Sequence, residues 1–378
     1  MTAMPGRPAP AARRPFEIGF YTLSELTTDP ATGRRVGARQ RIDETIAVAK
    51  LADEAGLDVF GLGEHRRLDY AVPSPMVVLA AIAEVTTRIR LSTAVTVLGA
   101  TDPVRLYEDA ATLNLVSAGR AELMLGRGAF AEPFALAGIA NQNYDSSFIE
   151  NYQLFEQLQS RDRVTWSGST RPPLRYAEIA PRPVQSRIPA WIAVGGSAAS
   201  AQRAGHLGAR MMLAALGGPA SNAVATVAAY RAAGAAAGHP PNRLRVGLAT
   251  HAYVGQTAQS ARNEFYPAYT RYWAEALGSP APLAGISRRD LDRLTTRDAV
   301  LMVGSPAEIV DKILYQHALL DHNRYLAQLD IGAQPFAQVA RTIERLATEV
   351  APQVRTAVAA ARSETAAAPR GEAAMVAT

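Results

Sequence analysis

The chain has 378 residues, of which 48% are hydrophobic and 19% charged, and its formal net charge is +5. It contains no cysteine, which excludes disulfides and thiolate catalysis. Its basic residues are scattered, which indicates a solvated surface rather than a nucleic-acid-binding patch. No apolar run reaches the ~18 residues that a membrane span needs, and the segment from Met1 to Pro15 lacks the apolar stretch of a signal peptide. We therefore expect a cytoplasmic protein that binds neither nucleic acid nor membrane.

Short segments of strand character alternate with longer helical segments. The predicted strands are 16–21, 58–63, 89–98, 121–125, 190–194, 209–213, 245–254 and 325–331. The predicted helical segments are 38–56, 74–87, 103–116, 146–159, 198–207, 220–237, 259–277, 289–300, 306–319 and 335–350. Such alternation predicts a parallel sheet covered by helices, and eight units favour a closed (β/α)8 TIM barrel over an open sheet.

Local signals mark several helix ends. Ser74 and Asp102 each precede a proline and are predicted N-caps, and Gly56 is a predicted C-terminal stop. Residues 161–187 interrupt the alternation and predict a hairpin-like insertion. We divide the chain into a flexible tail over 1–15, a single barrel domain over 16–355 and a disordered, alanine-rich tail over 356–378.

The loop after the fifth predicted strand has the features of an anion site. In a parallel barrel, functional groups lie just past the C-terminal ends of the strands. Here Gly195 and Gly196 allow the backbone to approach a ligand, and Ser197 stands at the start of a helix. The free N–H groups at a helix N-terminus attract an anion such as phosphate. A tight turn with an ordinary serine cap is the alternative.

The loop after the fourth predicted strand reads Gly126-Arg127-Gly128. An arginine at this place can reach a phosphate, and a salt bridge at the barrel rim is the alternative. The segment also fits the G-x-G-x-x-A pattern of dinucleotide-binding proteins. That pattern should open a helix in the first βα unit, whereas this is the fourth unit and Pro133 follows soon after.

The loop after the second predicted strand reads Glu64-His65-Arg66. A histidine at a strand end is a candidate general acid or base, and a histidine hydrogen-bonded at the rim is the alternative. The sequence contains no H-E-x-x-H, G-x-S-x-G or P-loop pattern. Because His317 and His322 are five residues apart, they should lie on different helix faces, and we expect no metal site.

These three loops, in this order, resemble those of the bacterial luciferase-like flavin monooxygenase family. The similarity extends over about residues 16–355. It is densest in GLGEHRRLDYAVPSPMVVLAAIAEVTTRIRLSTAVTVL and in DPVRLYEDAATLNLVSAGRAELMLGRG, and it continues in PAWIAVGGSAASAQRAGHLGA, GSPAEIVDKIL and LDIG. The resemblance implies a TIM barrel with an inserted segment, a homodimer, and FMN held without a covalent bond.

The resemblance also implies roles for individual residues. The FMN phosphate would be bound by Arg127, Gly195, Gly196 and Ser197. The isoalloxazine would lie on Ala94 and Val95, which the family often joins by a non-prolyl cis peptide, and His65 would lie near its reactive edge. The predicted lining of the substrate pocket consists of Phe20, Tyr70, Phe130 and Tyr253.

The leading hypothesis is an FMN-dependent monooxygenase that oxygenates a small organic substrate with O₂. Reduced FMN would come from a separate flavin reductase or be formed in place from NAD(P)H. Two alternatives stay open: hydride transfer with the deazaflavin F420, and flavin binding without turnover. Bacterial luciferase has cysteine, histidine and an acidic residue where this chain has Gly126, Arg66 and Gly195, so we do not expect light emission. The sequence does not identify the substrate.

Overall fold

The computed structural model describes residues 15–28, 33–128, 130–139, 144–276, 286–332 and 334–367. The strands within them are β1 (Glu17–Thr22), β2 (Val59–Leu62), β3 (Arg90–Thr93), β4 (Thr96–Val97), β5 (Ala121–Gly126), β6 (Arg163–Trp166), β7 (Leu174–Glu178), β8 (Ala190–Val194), β9 (Arg210–Ala214), β10 (Val246–Val254), β11 (Met302–Gly304) and β12 (Arg324–Gln328).

The helices within the same residues follow most strands. They are α1 (Ala38–Ala55), α2 (Pro75–Val85), α3 (Pro103–Val116), α4 (Glu132–Leu136), α5 (Tyr144–Ser160), α6 (Ala198–His206), α7 (Asn222–Ala236), α8 (Ala258–Ala276), α9 (Arg288–Leu294), α10 (Pro306–Leu320), α11 (Phe336–Arg345) and α12 (Ala351–Ala367). None of these helices is both long and apolar enough to cross a membrane.

Eight parallel strands form a closed barrel. They pair in the order β1-β2-β3-β5-β8-β9-β10-β12, and β12 pairs with β1 to close the ring. This confirms the predicted (β/α)8 TIM barrel. The short β4 extends the third strand and pairs with β5, and β11 pairs with the end of β10. Strand β11 was not predicted, because three residues are too few to show a periodicity.

Strand residues alternate between the two layers of the core. Ile18 and Phe20 of β1 face the surrounding helices, whereas Tyr21 faces the barrel interior. Both layers are apolar, so β2 and β10 are buried along their whole length. Burial on both sides is the reason that the strands appear in the sequence as nearly continuous apolar runs.

The hairpin insertion and two helix-end signals are confirmed. Strands β6 and β7 pair antiparallel within the predicted segment 161–187. The Asp102 carboxylate accepts hydrogen bonds from the first-turn N–H groups of α3, and Gly56 ends α1 with a φ of 93°. Ser74 is the N-cap residue of α2 and Pro75 follows it, as predicted, but the Ser74 side chain makes no capping hydrogen bond.

The predicted C-terminal boundary is also wrong. Helix α11 continues through a π-helical turn, Leu346–Val350, into α12, so residues 356–367 are helical rather than disordered. Val350, Val354 and Val358 are buried at helical spacing, and alanine favours the helix between them. The helix predicted over 289–300 ends at Leu294. Residues 1–14 and 368–378 lie outside the described residues, so the flexibility expected there stays a prediction.

A buried ion cluster fills the N-terminal end of the barrel. The Arg324 side chain is fully buried, donates from Nε to Glu17 Oε2 at 2.7 Å, and donates from Nη2 to Glu122 Oε2 at 3.1 Å. Its guanidinium lies 4.3 Å from the ring centre of Trp191. Burial alone would raise the pKa of Glu17, but the surrounding arginines, Arg324 first, hold it at about 2. A buried ion cluster at the N-terminal end of a barrel lies away from the end that carries active sites, so it serves stability rather than chemistry.

We predict that Arg324→Met lowers the free energy of unfolding by about 3–5 kcal/mol, because it leaves buried carboxylates without their main partner. Urea unfolding at neutral pH measures the change. The matched control is Arg39→Met, which removes an exposed ion pair with Asp43 and should cost less than about 1 kcal/mol. Similar losses in both variants would contradict the role of the cluster.

Candidate active site

A cavity of about 360 Å³ opens at the C-terminal ends of the strands, within the size range of small-molecule sites. It is lined by strand ends and by the loops that follow them. The lining residues are Tyr21, Leu23, Glu64, His65, Arg66, Arg67, Tyr70, Ala94, Val95, Val97, Gly126, Arg127, Gly128, Phe130, Glu132, Pro133, Ala193, Val194, Gly195, Ser200, Ala214, Leu216 and Tyr272. Three loops that are distant in sequence therefore meet in one cavity.

The floor of the cavity is apolar. Ala94 and Val95 contribute to it and are joined by a cis peptide bond, as the resemblance implied. A Cβ on Gly126 would lie 2.6 Å from Val95 Cγ2, so only glycine lets the end of β5 pack against this residue. Ala193 and Ala214 continue the surface with small side chains. Such a floor can accommodate a flat ring system.

An open backbone segment, Gly195 to Ser197, precedes α6; Gly195 lines the cavity, whereas Gly196 and Ser197 are not among its lining residues. A Cβ on Gly195 or on Gly196 would meet no atom within 4 Å. Gly196 has a φ of 93°, which favours glycine. The Ser197 hydroxyl makes no capping hydrogen bond, which contradicts the ordinary-cap alternative. The first turn of α6 therefore keeps N–H groups that its own cap residue does not satisfy.

Arg127 forms an ion pair at the rim beside this segment. Its Nη1 donates to Asp145 Oδ1 at 3.0 Å, and Arg203 Nη2 lies 3.1 Å from the same oxygen. The rim salt bridge, the alternative for Arg127, is therefore present. This salt bridge is compatible with anion binding by Arg127, because a guanidinium that pairs with a carboxylate oxygen can also pair with a phosphate oxygen. Sequence reasoning missed Arg203, whose only signal was a basic residue in the predicted helix 198–207.

His65 lines the cavity between two aromatic rings. Its ring centre is 4.2 Å from that of Tyr70 and 5.2 Å from that of Phe130. Burial lowers the pKa of His65 to about 4, so the imidazole is neutral at pH 7. The three aromatic side chains bring together the loops after β2 and β5. In this environment His65 can accept a proton or a hydrogen bond from a bound molecule.

The residues beside His65 are held by ion pairs. Glu64 Oε1 lies 3.1 Å from Arg66 Nη2, and its Oε2 accepts a hydrogen bond from the Val97 N–H at 3.4 Å. Burial raises the pKa of Glu64. Arg67 lies 4.7 Å from the ring centre of Phe130 and pairs with Asp69. These contacts fix the loop that carries His65.

Phe20 does not reach the cavity. It is fully buried in the layer between barrel and helices, where its ring centre lies 5.2 Å from that of Phe60. The neighbouring Tyr21 lines the cavity instead, and its hydroxyl donates to Gln328 Oε1 at 2.7 Å. The prediction for Phe20 is wrong because successive side chains of a strand point to opposite faces.

Tyr253 also lies outside the cavity. It is buried, its hydroxyl donates to the Glu264 carboxylate, and its ring packs near Phe265 of α8. The prediction for Tyr253 is therefore wrong. Tyr272 of the same helix lines the cavity, and the aromatic-rich composition of this segment was the signal that could have found it.

Among the residues that the structure describes, no group of three or more histidine, aspartate or glutamate side chains could hold a metal ion.

Comparison with known proteins identifies relatives. A family model described as luciferase-like monooxygenase matches residues 16–323. The fold is similar to the crystal structure of monooxygenase RslO1 from Streptomyces bottropensis, with a TM-score of 0.77 and 27% identity over 89% of this chain and 99% of that chain.

Two further relatives differ in cofactor. The oxygenase component of a flavin-dependent trigonelline monooxygenase from Acinetobacter baylyi is 27% identical over 117 residues, 31% of either chain. An F420-dependent glucose-6-phosphate dehydrogenase from Kineococcus radiotolerans is 33% identical over 167 residues, 40% of this chain and 49% of that enzyme. The match spans less than half of each relative, and these relatives include both flavin and deazaflavin enzymes.

We predict that the His65 imidazole titrates with a midpoint near pH 4, against about 6.5 for an unperturbed histidine. NMR of the histidine ring signals measures the midpoint, and His65→Gln assigns the signal by its loss. Because the unfolded chain binds this proton at higher pH than the folded protein, His65 also makes stability fall as pH falls from about 6.5 to 4. A midpoint near 6.5 would contradict the buried environment.

Proposed function

The chain belongs to the luciferase-like monooxygenase family, and from this premise we propose that it is an FMN-dependent monooxygenase that oxygenates a small organic substrate with O₂. The observation that carries the proposal is Arg127, which lines the cavity together with Gly195 and shares the Asp145 Oδ1 atom with Arg203. This arrangement has the charge and the donors that a phosphate needs. The small apolar residues Ala94, Val95 and Ala193 of the same cavity suit a flavin ring.

The chemistry of the residues in and around the cavity suits FMN. Arg127 and the segment from Gly195 to Ser197 would hold the phosphate, and Ala94 and Val95 would support the ring. When bound, reduced FMN supplies the electrons with which O₂ is activated. The barrel itself would bind and orient the cofactor and the substrate, and it would exclude water from them.

His65 is the proposed catalytic residue of the chain. Its neutral ring lies at the cavity wall, where a ring nitrogen can hold or pass a proton during oxygenation. Tyr70 and Phe130 pack against the ring and would keep water away from the reacting atoms. The hydroxyl of Tyr21, oriented by Gln328, offers a polar contact for a substrate.

We further propose a source of electrons and an oligomeric state. The trigonelline relative is the oxygenase component of its enzyme, which supports a separate flavin reductase, with direct use of NAD(P)H as the alternative. A homodimer is supported by α2, whose outward face carries the exposed apolar residues Val77, Ala81 and Val85. A cytoplasmic location stays a prediction.

F420-dependent hydride transfer is the second candidate, favoured by the 33% identity to the Kineococcus dehydrogenase. The tail of F420 begins with a phosphodiester, which carries one negative charge rather than two. A guanidinium such as that of Arg127 attracts the doubly charged phosphate of FMN more strongly than a singly charged diester. Flavin binding without turnover is the remaining alternative, and an observed oxygenation excludes it.

We predict that the wild-type protein binds FMN more tightly than F420, and that Arg127→Met weakens FMN binding ~10–100-fold. The Arg127→Met variant loses the charge-assisted hydrogen bond to the FMN phosphate, which contributes ~1.5–3 kcal/mol to binding. Flavin fluorescence titration measures both affinities, with the exposed Arg39→Met as the control. Binding of F420 without binding of FMN would favour the second candidate.

We predict that His65→Gln leaves FMN affinity unchanged and slows oxygenation ~10²–10⁴-fold. Product formation from a substrate found by screening small organic compounds, with reduced FMN and O₂ supplied, measures the rate. An unchanged rate would remove His65 from catalysis without affecting the proposal for FMN.

A further inference from the structure

We propose that Tyr21 selects the substrate by accepting a hydrogen bond, so that the cavity takes an uncharged organic compound with a hydroxyl group. In this proposal Gln328 and His251 are positioning residues, which direct the Tyr21 proton away from the substrate. The inference rests on the proposed function for the reaction that the bound substrate undergoes. It adds the chemical class of the substrate and two residues that are not among those lining the cavity.

Tyr21, Gln328 and His251 form one row across three neighbouring strands. Gln328 of β12 pairs in register with Tyr21 of β1 on one side and with His251 of β10 on the other. Tyr21 faces the barrel interior. Leu326 and Ala249 do so too, each two residues before a member of the row. Because side chains of a strand alternate between its faces, the whole row points into the barrel and connects the cavity, through Tyr21, to the buried His251.

The chemistry of the Tyr21–Gln328 pair fixes the position of the Tyr21 proton. The Tyr21 hydroxyl oxygen lies 2.7 Å from Gln328 Oε1, and an amide oxygen can only accept a hydrogen bond. The proton between them therefore comes from Tyr21, and burial keeps it there by raising the pKa of the phenol. Since this proton is directed to Gln328, the Tyr21 oxygen can offer only lone pairs to a molecule in the cavity.

His251 can hold the Gln328 amide in this orientation. Both side chains are buried, and neither Gln328 Nε2 nor the ring nitrogens of His251 have a hydrogen-bond partner of good geometry among the described residues. Burial lowers the pKa of His251 to about 4, against the opposing effect of Gln328 beside it. At pH 7 the neutral ring therefore has one nitrogen that accepts. An accepting ring favours the amide N–H groups on its own side, which leaves Oε1 for Tyr21.

The row determines which polar group of a substrate is recognised. It carries no charge at pH 7, because Tyr21 and His251 are neutral and Gln328 is an amide. A charged group would lose its water here beside groups that cannot balance its charge. An ether or a ketone offers only acceptors, which cannot bind to the lone pairs of Tyr21. A hydroxyl group is uncharged and donates, so it meets both conditions.

The experiment compares 2-naphthol with 2-methoxynaphthalene, and phenol with anisole, by isothermal titration calorimetry at pH 7 with and without added FMN. Each pair differs by one hydrogen-bond donor, and the phenols, like tyrosine, are uncharged at this pH. We expect wild type to bind the hydroxyl compounds about three- to ten-fold more tightly than the ethers. Tyr21→Phe should lose this preference by weakening binding of the hydroxyl compounds alone. The matched control is Tyr107→Phe, at a buried tyrosine that is not among the lining residues, and it should keep the preference.

Gln328→Met tests the positioning role, because it frees the Tyr21 proton to donate. The ethers should then bind several-fold more tightly than they bind to wild type, and the double variant Tyr21→Phe/Gln328→Met should lose this gain. His251→Leu, which lets the Gln328 amide reverse, should shift the preference in the same direction. A glutamine and a histidine with purely structural roles predict weaker binding of both members of each pair.

The inference is overturned if wild type binds the members of each pair equally or binds none of the four compounds. An unchanged preference in Tyr21→Phe, or an ether affinity that does not rise in Gln328→Met, would also overturn it. An unchanged ether affinity in His251→Leu would contradict the positioning role of His251. All these results leave the proposal for FMN intact, because the flavin titration tests it separately. If the protein binds no FMN, the proposed function fails, and the hydroxyl preference measured without FMN still decides the inference.

Discussion

The buried pairing of Arg324 with Glu17 and Glu122 is the constraint on which the barrel depends. These side chains come from β12, β1 and β5, and they meet inside the barrel at its N-terminal end, with Trp191 of β8 beneath the guanidinium. A charge in such a place requires its partners, so the cluster fixes how distant strands lie relative to one another. It also fills this end, which leaves the cavity to form at the opposite end.

Closure of the barrel converts separate loops into one site. His65 follows β2, Val95 follows β3, Arg127 follows β5 and Gly195 follows β8, and all four line one cavity because parallel strands end at the same rim. Small residues are needed where strand ends touch, as the fit of Gly126 against Val95 shows. The same arrangement brings the aromatic rings around His65 and the guanidinium of Arg127 into one cavity.

His65 and Arg127 bring different chemistry to the cavity. Burial holds the His65 imidazole neutral, and two aromatic rings pack against it. Arg127 shares one carboxylate oxygen of Asp145 with Arg203. The relatives include flavin-dependent and F420-dependent enzymes, so the similarity alone does not select a cofactor.

The sequence by itself determined the alternation of strands and helices, the hairpin, and the three loops that carry His65, Arg127 and Ser197, because periodicity and turn residues are local properties. Only the tertiary structure decided which side chains enter the cavity. Phe20 faces the helices and its neighbour Tyr21 faces the site, because the register of the closed sheet determines which side of β1 points inward. Arg203 comes beside Arg127 only through their shared contact with Asp145, and long-range contacts of this type leave no periodic signal in a sequence.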